Sequence, residues 1–372
     1  MGDSKMKLTP LRSTVLLIAI VLCGAYAKAE ELRYVATVDG KEGYEAGMGV
    51  LATPGQKIHI ALEANGEPTS AVVANGGQNA TASISEQFEW TAEKGELRDV
   101  TAKELVYECP KESGSTVLKA KCVHAIAIKG GGSEVSPTVK SNWSLHVFVQ
   151  FPFDREGKGT IQNYPVGVYP DENSPRTDAT VRDRAAAYHP PKWFARVAKS
   201  ERGIRISPHF TIGQFCSPYT NEDPVYVAIS PRLIDRLEQI HDRLITPERK
   251  DPRIAILRAF ISPNEANQLR RKGLVMAEFS RYLYGDAASI ILDQNSDGVM
   301  DDLNGDGKAD LEDVDVLARI VEGIERDTKI YGGLGMYSGP GKDQLLPKTP
   351  FLAIDLRGVK SRFGGRGARE SN

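Results

Sequence analysis

Apolar and polar residues alternate along most of residues 31–152, and this period-two pattern constrains the fold more than any other feature of the sequence. Successive side chains of a strand point to opposite faces, so each alternating run predicts a strand with one buried face. Turns rich in Gly, Asn and Ser separate the runs, as is typical of a β-sandwich. We therefore predict an all-β sandwich over residues 30–152. The clearest runs are KIHIALEA (57–64), ASISEQFEW (82–90), VLKAKCVHAIAI (117–128) and SLHVFVQF (144–151).

Two cysteines flank the segment ECPKESGSTVLKAKC, which the pattern predicts to be a hairpin. Cys109 and Cys122 at its ends form the natural disulfide pair if the chain reaches an oxidising compartment. Together with the preceding FEWTAEKGEL, this hairpin resembles a bacterial immunoglobulin-type module, so we expect an immunoglobulin-like sandwich. Cys216, further along the chain, is expected to be a small buried apolar residue.

The N-terminus carries basic residues, then the short apolar run VLLIAIVL, then the tripeptide AKA that ends at residue 29. This order is typical of a cleaved secretory signal, and the apolar run is too short to span a bilayer comfortably. We predict that residues 1–29 are removed and that the mature protein is periplasmic or extracellular, without a membrane span. The formal net charge of −2 offers no basic face for nucleic acid.

The pattern of apolar residues changes after residue 152. Clustered prolines in residues 153–206 predict an extended connector. Residues 207–363 mix helical and strand patterns, which predicts an α+β domain, and residues 364–372 predict a flexible tail. One helix is predicted to begin at Ser230, a capping residue, followed by Pro231 in the first turn. The other elements predicted in this part are strands at 253–260 and 351–358 and a helix at 313–324.

Four blocks of the C-terminal part carry a resemblance to a known family. They are HFTIGQF (209–215), SRYLYGDAASIILD (280–293), GGLGMYSG (332–339) and FLAIDLRG (351–358). In sequence and in order they resemble the zinc D-alanyl-D-alanine carboxypeptidases, the D,D-peptidases of peptidoglycan. The resemblance implies a carboxypeptidase-like fold for most of residues 207–363.

The resemblance also identifies the positions at which the family binds zinc. The second block of the family carries a His and, seven residues later, an Asp, and the last block carries a second His. Here these positions hold Tyr282, Ser289 and Ala353, and the family's substrate-binding Arg aligns with Ile261. A catalytic zinc needs three protein ligands and a bound water. We therefore expect no zinc cofactor in this protein and assign no catalytic residue.

Histidines elsewhere give no obvious substitute, because none follows His241 in the chain. His241 stands beside Asp242 at a polar helix position and is predicted to be solvated. His209 belongs to the first block, and a structural role is expected for it because no second ligand is visible nearby in the sequence.

The segment DQNSDGVMDDLNGDGKADLED (293–313) is the most specific ligand pattern in the chain. Oxygen-bearing residues recur at alternate positions before a turn glycine, as in calcium loops. One loop runs from Asp302 to Asp313 and closes with Asp as in dockerins, while an overlapping loop starts at Asp293. We predict calcium as the cofactor, bound by Asp293, Asn295, Asp297, Asp301, Asp302, Asn304, Asp306, Lys308 (through its backbone oxygen) and Asp313.

Three functions are compatible with these features. The first is an exported, catalytically inactive carboxypeptidase-like protein, stabilised by calcium, that binds a peptidoglycan peptide or an envelope protein. The second is an active metallo-carboxypeptidase or peptidoglycan hydrolase with a rearranged site, and the third is a structural subunit of a cell-surface assembly. We favour the first, because site chemistry and not fold determines function.

Overall fold

A computed structural model describes residues 33–64, 72–75, 78–130, 133–135, 138–154, 159–170, 188–273, 276–339 and 347–364. The predicted signal segment lies outside these residues, as does the predicted tail from residue 365 onward. The fold is largely β-sheet, with three α-helices in the described part. The chain separates into two compact units, one of residues 1–48, 55–110 and 116–146, and one of residues 49–54, 111–115 and 147–372.

Two sheets account for the strands up to residue 149. In chain order the strands are β1 (Tyr34–Val38), β2 (Lys41–Glu45), β3 (Met48–Ala52), β4 (Lys57–Ala64), β5 (Val72–Asn75), β6 (Gln78–Ala92), β7 (Glu96–Arg98), β8 (Glu104–Glu108), β9 (Gly114–Gly130), β10 (Ser133–Val135) and β11 (Thr138–Val149). One sheet has the order β2-β1-β4-β8-β7 and the other the order β3-β11-β9-β6-β5, with β10 paired to β9. Each predicted strand run falls within one of these strands or at its end.

Alternation explains why these segments form sheets. In β4, Ile58, Ile60 and Leu62 are at most 2% exposed, while the residues between them face outward. The indole of Trp143 is also buried and donates to the carbonyl of Tyr44 at 3.1 Å, so its polar atom is satisfied inside the core. The period-two pattern therefore predicted both the strands and their buried face.

The predicted disulfide is wrong. Cys109 follows β8, which pairs with β4 and β7, whereas Cys122 lies in β9, which pairs with β6 in the other sheet. The segment between them passes from one sheet to the other and does not form the expected hairpin. Both thiols are free and buried, and burial raises the pKa of Cys109 to about 12 and that of Cys122 to about 11.

The second unit combines three sheets with the three helices. Its elements are β12 (Phe151–Pro152), β13 (Thr160–Ile161), β14 (Tyr164–Pro165), β15 (Trp193–Val197), β16 (Val225–Val227), α1 (Pro231–Leu244), β17 (Ile254–Arg258), α2 (Pro263–Arg271), β18 (Ala287–Leu292), α3 (Leu311–Thr328), β19 (Gly333–Tyr337), β20 (Phe351–Asp355) and β21 (Ser361–Phe363). The main sheet has the order β17-β18-β20-β19-β21, and smaller sheets are formed by β12-β15-β16 and β13-β14.

The helix predicted after Ser230 is confirmed as α1, with Leu233, Leu237 and Ile240 fully buried. Ser230 occupies the capping position, but its side chain makes no capping hydrogen bond. The other predicted elements match β17, β20 and α3, and α3 extends beyond the predicted range at both ends. None of the described helices combines the length and apolar character that crossing a bilayer requires.

Part of the segment assigned to a connector lies in the core of this unit. Trp193–Val197 forms β15, and Phe194 and Val197 are fully buried beside Phe260 and other apolar side chains. Apolar residues alternate too briefly in WFARV to stand out from the surrounding prolines, which explains why the sequence did not identify the strand.

A buried ion pair joins α3 to β21. Arg362 Nη2 lies 2.5 Å from Glu325 Oε2, and both side chains are 3% exposed. Glu325 also accepts a hydrogen bond from the backbone of Gly332 at 2.8 Å. Removing one member of a buried pair leaves an uncompensated charge in the interior, which is far costlier than losing a surface pair.

We predict that Glu325→Ala lowers the free energy of unfolding by up to about 3–5 kcal/mol, measured by urea denaturation, because Arg362 stays buried and its remaining ion pair, to Glu322 at 3.1 Å, is the longer of the two. The matched control is Arg243→Ala, which removes an ion pair to Asp327 in which both side chains are more than half exposed. That control should cost less than about 1 kcal/mol. An equal loss of unfolding free energy in the two variants would show that the Arg362–Glu325 pair stabilises the fold no more than a surface pair does.

Candidate functional site

A single row of residues crosses all five strands of the main sheet. The strand register places Arg258 opposite Ser289, Ser289 opposite Ala353, Ala353 opposite Gly335, and Gly335 opposite Phe363. Residues directly opposite each other in a sheet point to the same face. The row therefore brings Ser289 and Ala353, two of the three positions that the sequence resemblance singled out, side by side.

The third family position reaches this row from the 3-10 turn Arg281–Tyr284. The hydroxyl of Tyr282 lies 2.7 Å from Ser289 Oγ, so the two side chains form a hydrogen bond. Ile261, which the sequence resemblance aligned with a substrate-binding Arg, donates its backbone N–H to the carbonyl of Tyr282 at 3.1 Å. The four positions singled out in the sequence, including Ala353, thus form one cluster.

The chemistry of this cluster does not suit a catalytic metal. Ser289 is fully buried and Ala353 is 5% exposed, while the hydroxyls of Tyr282 and Ser289 share one hydrogen bond. A methyl group and two neutral hydroxyls provide none of the imidazole, thiolate or carboxylate ligands that zinc prefers.

The sequence missed Arg258, the first residue of the row. Its side chain is buried, and the guanidinium carbon lies 4.3 Å from the ring centroid of Tyr282. Among the described residues, Arg258 Nε has no hydrogen-bond partner. A charged residue inside the apolar run RIAILRAF was the available signal, since buried arginine normally has its donors satisfied.

The carboxylates near the row are already engaged. Asp286 pairs with Arg281, and Asp355 pairs with Arg357 at 2.6 Å while accepting a hydrogen bond from the backbone of Gly333 at 3.0 Å. At the far end of the row, a Cβ on Gly335 would lie 2.0 Å from the ring of Phe363. That glycine is required because the ring occupies the space above it.

The acidic segment folds as two successive loops with the same hydrogen bonds. In the second loop, Asp302 accepts from the backbone of Gly305 at 2.7 Å and of Gly307 at 2.6 Å. Asn304 accepts from the backbone of Asp306 at 2.9 Å, and Asp306 from that of Lys308 at 2.9 Å. Gly307 has φ +84°, a conformation that favours glycine at the sixth position of such a loop.

The first loop repeats this arrangement nine residues earlier. Asp293 accepts from the backbone of Asp297 at 2.9 Å and of Gly298 at 3.2 Å, and Asn295 Oδ1 accepts from Asp297 at 3.1 Å. Asp301 accepts from the backbone of Gln294 at 2.7 Å. All the residues predicted as calcium ligands except Asp313, which lies in the first turn of α3, therefore lie in two adjacent loops that connect β18 to α3.

Asp313, the predicted closing ligand, also has a structural role at the start of α3. It is fully buried and accepts hydrogen bonds from the backbone of Leu303 at 2.7 Å, Asn304 at 3.1 Å and Asp310 at 2.8 Å. The carboxylate of Asp302 differs, because it is exposed. Hydrogen bonds from Gly307 and neighbouring backbone groups lower its pKa, so it stays ionised at neutral pH.

The solvation predicted for His241 is wrong, whereas the structural role predicted for His209 stays a prediction. His241 is 3% exposed, because the last turn of α1 packs into the core, and its ring stacks on that of His209 with centroids 3.4 Å apart. His209 Nδ1 lies 2.6 Å from Glu238 Oε2, and His241 Nε2 lies 3.5 Å from Asp251 Oδ1. The signal in the sequence was the pair Glu238 and His241, three residues apart and therefore on one helix face.

Cys216 is buried, as predicted. Burial raises the pKa of its thiol to about 12, so the thiol is neutral at physiological pH. The thiolate is the reactive form of cysteine, and this side chain therefore contributes no nucleophile.

Comparison with known proteins does not assign the chain to a family. No protein-family model matches this sequence, and no curated protein matches it either. A matching solved structure is described as a nucleoside hydrolase-related hypothetical protein from Saccharophagus degradans that is associated with carbohydrate metabolism. The two chains are 14% identical, the match covers 33% of this chain and 26% of that chain, and the TM-score is 0.19. Similarity at this level carries no argument about fold or function.

Proposed function

We propose that this protein is an exported, catalytically inactive relative of the zinc D,D-carboxypeptidases that binds peptidoglycan peptides. In this proposal the second unit has a carboxypeptidase-like arrangement, and the N-terminal sheets form an immunoglobulin-like module. The observation that carries the proposal is the convergence of Tyr282, Ser289 and Ala353 at one place in the main sheet. Residues aligned with the three zinc ligands would meet in this way if the family's scaffold is retained and its metal chemistry is lost.

Arg258 supports peptide binding as the retained activity. The peptides on which the family acts end in a carboxylate, and Ile261 has replaced the arginine that binds it. Arg258 lies directly opposite Ser289 on the neighbouring strand, and its Nε has no hydrogen-bond partner among the described residues. Arginine binds carboxylates through paired, charge-assisted hydrogen bonds, so this residue is suited to the same group.

We predict that the mature chain, residues 30–372, binds a muropeptide ending in D-Ala-D-Ala without releasing D-alanine. Arg258→Met should weaken binding about 10–100-fold, the worth of a hydrogen bond to a charged group. Binding is measured by calorimetry and release by an enzymatic D-alanine assay. Arg243→Met, which alters an exposed ion pair, is the matched control and should leave affinity unchanged.

Release of D-alanine by the unaltered protein would overturn the proposal of inactivity. A protein that binds no muropeptide would instead favour an envelope protein as the partner.

Restoring the zinc ligands tests the resemblance itself. The variant Tyr282→His, Ser289→Asp, Ala353→His should bind one zinc ion more per chain than the unaltered protein, measured by mass spectrometry of metal content. Arg258→Ala is included because a guanidinium opposite position 289 would repel the ion. The same variant with Ala353 retained has two ligands and should bind much more weakly.

No additional zinc in the restored variant would show that these positions do not form the family's site.

We also propose that the acidic loops bind calcium. Their donor set fits the ion, because carboxylate, amide and backbone oxygens are the ligands that calcium prefers, and the glycines allow the sharp turns. Asp302, Asn304 and Asp306 would hold one ion, and Asp293, Asn295 and Asp297 the other. Bound calcium would neutralise the crowded carboxylates and stiffen the connection between β18 and α3.

We predict that calcium raises the melting temperature of the chelator-treated protein by about 5–10 °C at a hundredfold excess over Kd. Asp302→Asn should reduce this shift, because it removes one ligand charge. Asp327→Asn, at an exposed ion pair outside the loops, is the control and should keep the full shift. An equal shift with magnesium, or no shift, would contradict a calcium site.

A further inference from the structure

Two histidines and three carboxylates meet where α1 ends, in a cluster that consists of His209, Glu238, His241, Asp242 and Asp251. His209 precedes the 3-10 turn Ile212–Phe215. Glu238, His241 and Asp242 belong to the last two turns of α1, and Asp251 lies in the loop before β17. One ligand atom each of His209, His241 and Asp251 lies within 4.8 Å of the others. Three separate segments therefore bring potential metal ligands to one point.

Glu238 controls the proton on His209. Its Oε2 lies 2.6 Å from His209 Nδ1, and its Oε1 accepts a hydrogen bond from the backbone N–H of the same residue at 3.1 Å. A proton held on Nδ1 by this carboxylate leaves the lone pair on Nε2. Metal-binding histidines commonly donate their second ring N–H to a carboxylate in this way.

His241 has contacts that suit a shared ion better than direct hydrogen bonds. Its Nε2 lies 3.5 Å from Asp251 Oδ1 and its Nδ1 lies 3.5 Å from Asp242 Oδ1, although the side chain is only 4% exposed. Hydrogen bonds to nitrogen normally span 2.7–3.2 Å. Two ligands of one tetrahedral zinc, each bound at about 2.0–2.1 Å, lie about 3.3 Å apart, close to the observed separation.

The charges in the cluster also favour a cation. Glu238, Asp242 and Asp251 bring three carboxylates to the cluster. A divalent ion bound between the ligands would offset the repulsion between these carboxylates.

We propose that His209, His241 and Asp251 bind a zinc-type divalent ion, with Glu238 holding His209 in the required tautomer. Two imidazoles and a carboxylate are a ligand set that zinc uses, unlike the oxygen-only loops that suit calcium. Stacked rings point their lone pairs in parallel, so the His209 ring tilts out of the stack on binding. Its side chain is 34% exposed and lies on a loop, which permits this movement.

The site is separate from the family's zinc positions. Asp251 precedes β17, whereas Arg258 and Ile261 lie at and beyond its other end. The ion would join α1 to the loop before β17 and to the loop that carries His209.

Zinc binding to the full mature chain tests this assignment. The protein is stripped with chelator, calcium is added in excess to occupy the acidic loops, and zinc chloride is titrated by calorimetry. We expect one zinc ion per chain. His209→Ala and Asp251→Asn should each weaken binding at least tenfold, and Glu238→Gln about 10–100-fold as a residue that positions a ligand. Both altered ligands are partly or largely exposed, so the variants should fold.

His189→Ala is the matched control, because this exposed histidine lies outside the cluster and should leave the affinity unchanged. Cobalt gives an independent readout, since visible bands of tetrahedral cobalt should appear with the unaltered protein and disappear with His209→Ala. Absence of zinc binding, or equal affinity in the His209→Ala and His189→Ala variants, would overturn the site.

The D-alanine assay separates this site from the proposed function. Zinc binding without D-alanine release supports both proposals. Zinc-dependent release that His209→Ala abolishes would support the metal site and overturn the proposal of inactivity. If the protein neither binds zinc nor releases D-alanine, the proposed metal site is overturned and the proposal of inactivity stands.

Discussion

The cross-strand row Arg258, Ser289, Ala353, Gly335, Phe363 is the constraint on which the main sheet of the second unit depends. Residues opposite each other in neighbouring strands lie about 4.5–5.5 Å apart, so each member limits the size and chemistry of the next. A large ring at 363 requires glycine at 335, and a small residue at 353 leaves room for the Tyr282 hydroxyl to reach Ser289. The row is therefore closely packed. A single His or Asp introduced into it would have no second metal ligand beside it. Under the proposed function, the zinc ligands would have been lost while the fold was retained, because the same register serves both.

The acidic loops are linked to this sheet through β18. Asp293 follows the last residue of the strand, and Asp313 lies in the first turn of α3, so both ends of the segment are fixed by secondary structure. Backbone N–H groups already satisfy several carboxylate oxygens, which explains how the loops adopt an ordered path despite their charge. The remaining repulsion between carboxylates is the free energy that a calcium ion would offset. The loops would thus affect the stability of β18 and α3 and not the chemistry of the row.

Local patterns predicted much of this fold. Alternation in residues 57–64 and helical spacing after Pro231 identified β4 and α1, because each segment buries one face along its own length. The convergence of Tyr282 with Ser289 followed from the resemblance and not from spacing. The pairing of Cys109 with Cys122 failed because strand partners depend on contacts distant in sequence. The same reason explains why the solvation predicted for His241 failed: elements that pack against α1 determine its burial.

The proposed peptide site and the proposed zinc cluster lie at opposite ends of β17 and have opposite charge. Arg258, at one end, is a buried cation that lies among aromatic and apolar side chains and is suited to a carboxylate ligand. The cluster at the other end, formed by His209, His241 and three acidic residues, is suited to a cation. β17 is hydrogen-bonded to β18 over most of its length, so the two sites are held at a fixed separation. An ion joining Asp251 to α1 would restrain the start of the strand whose last residue presents the guanidinium. Through this strand, metal binding would favour one position of Arg258 and reduce the cost of ordering it when a peptide carboxylate binds.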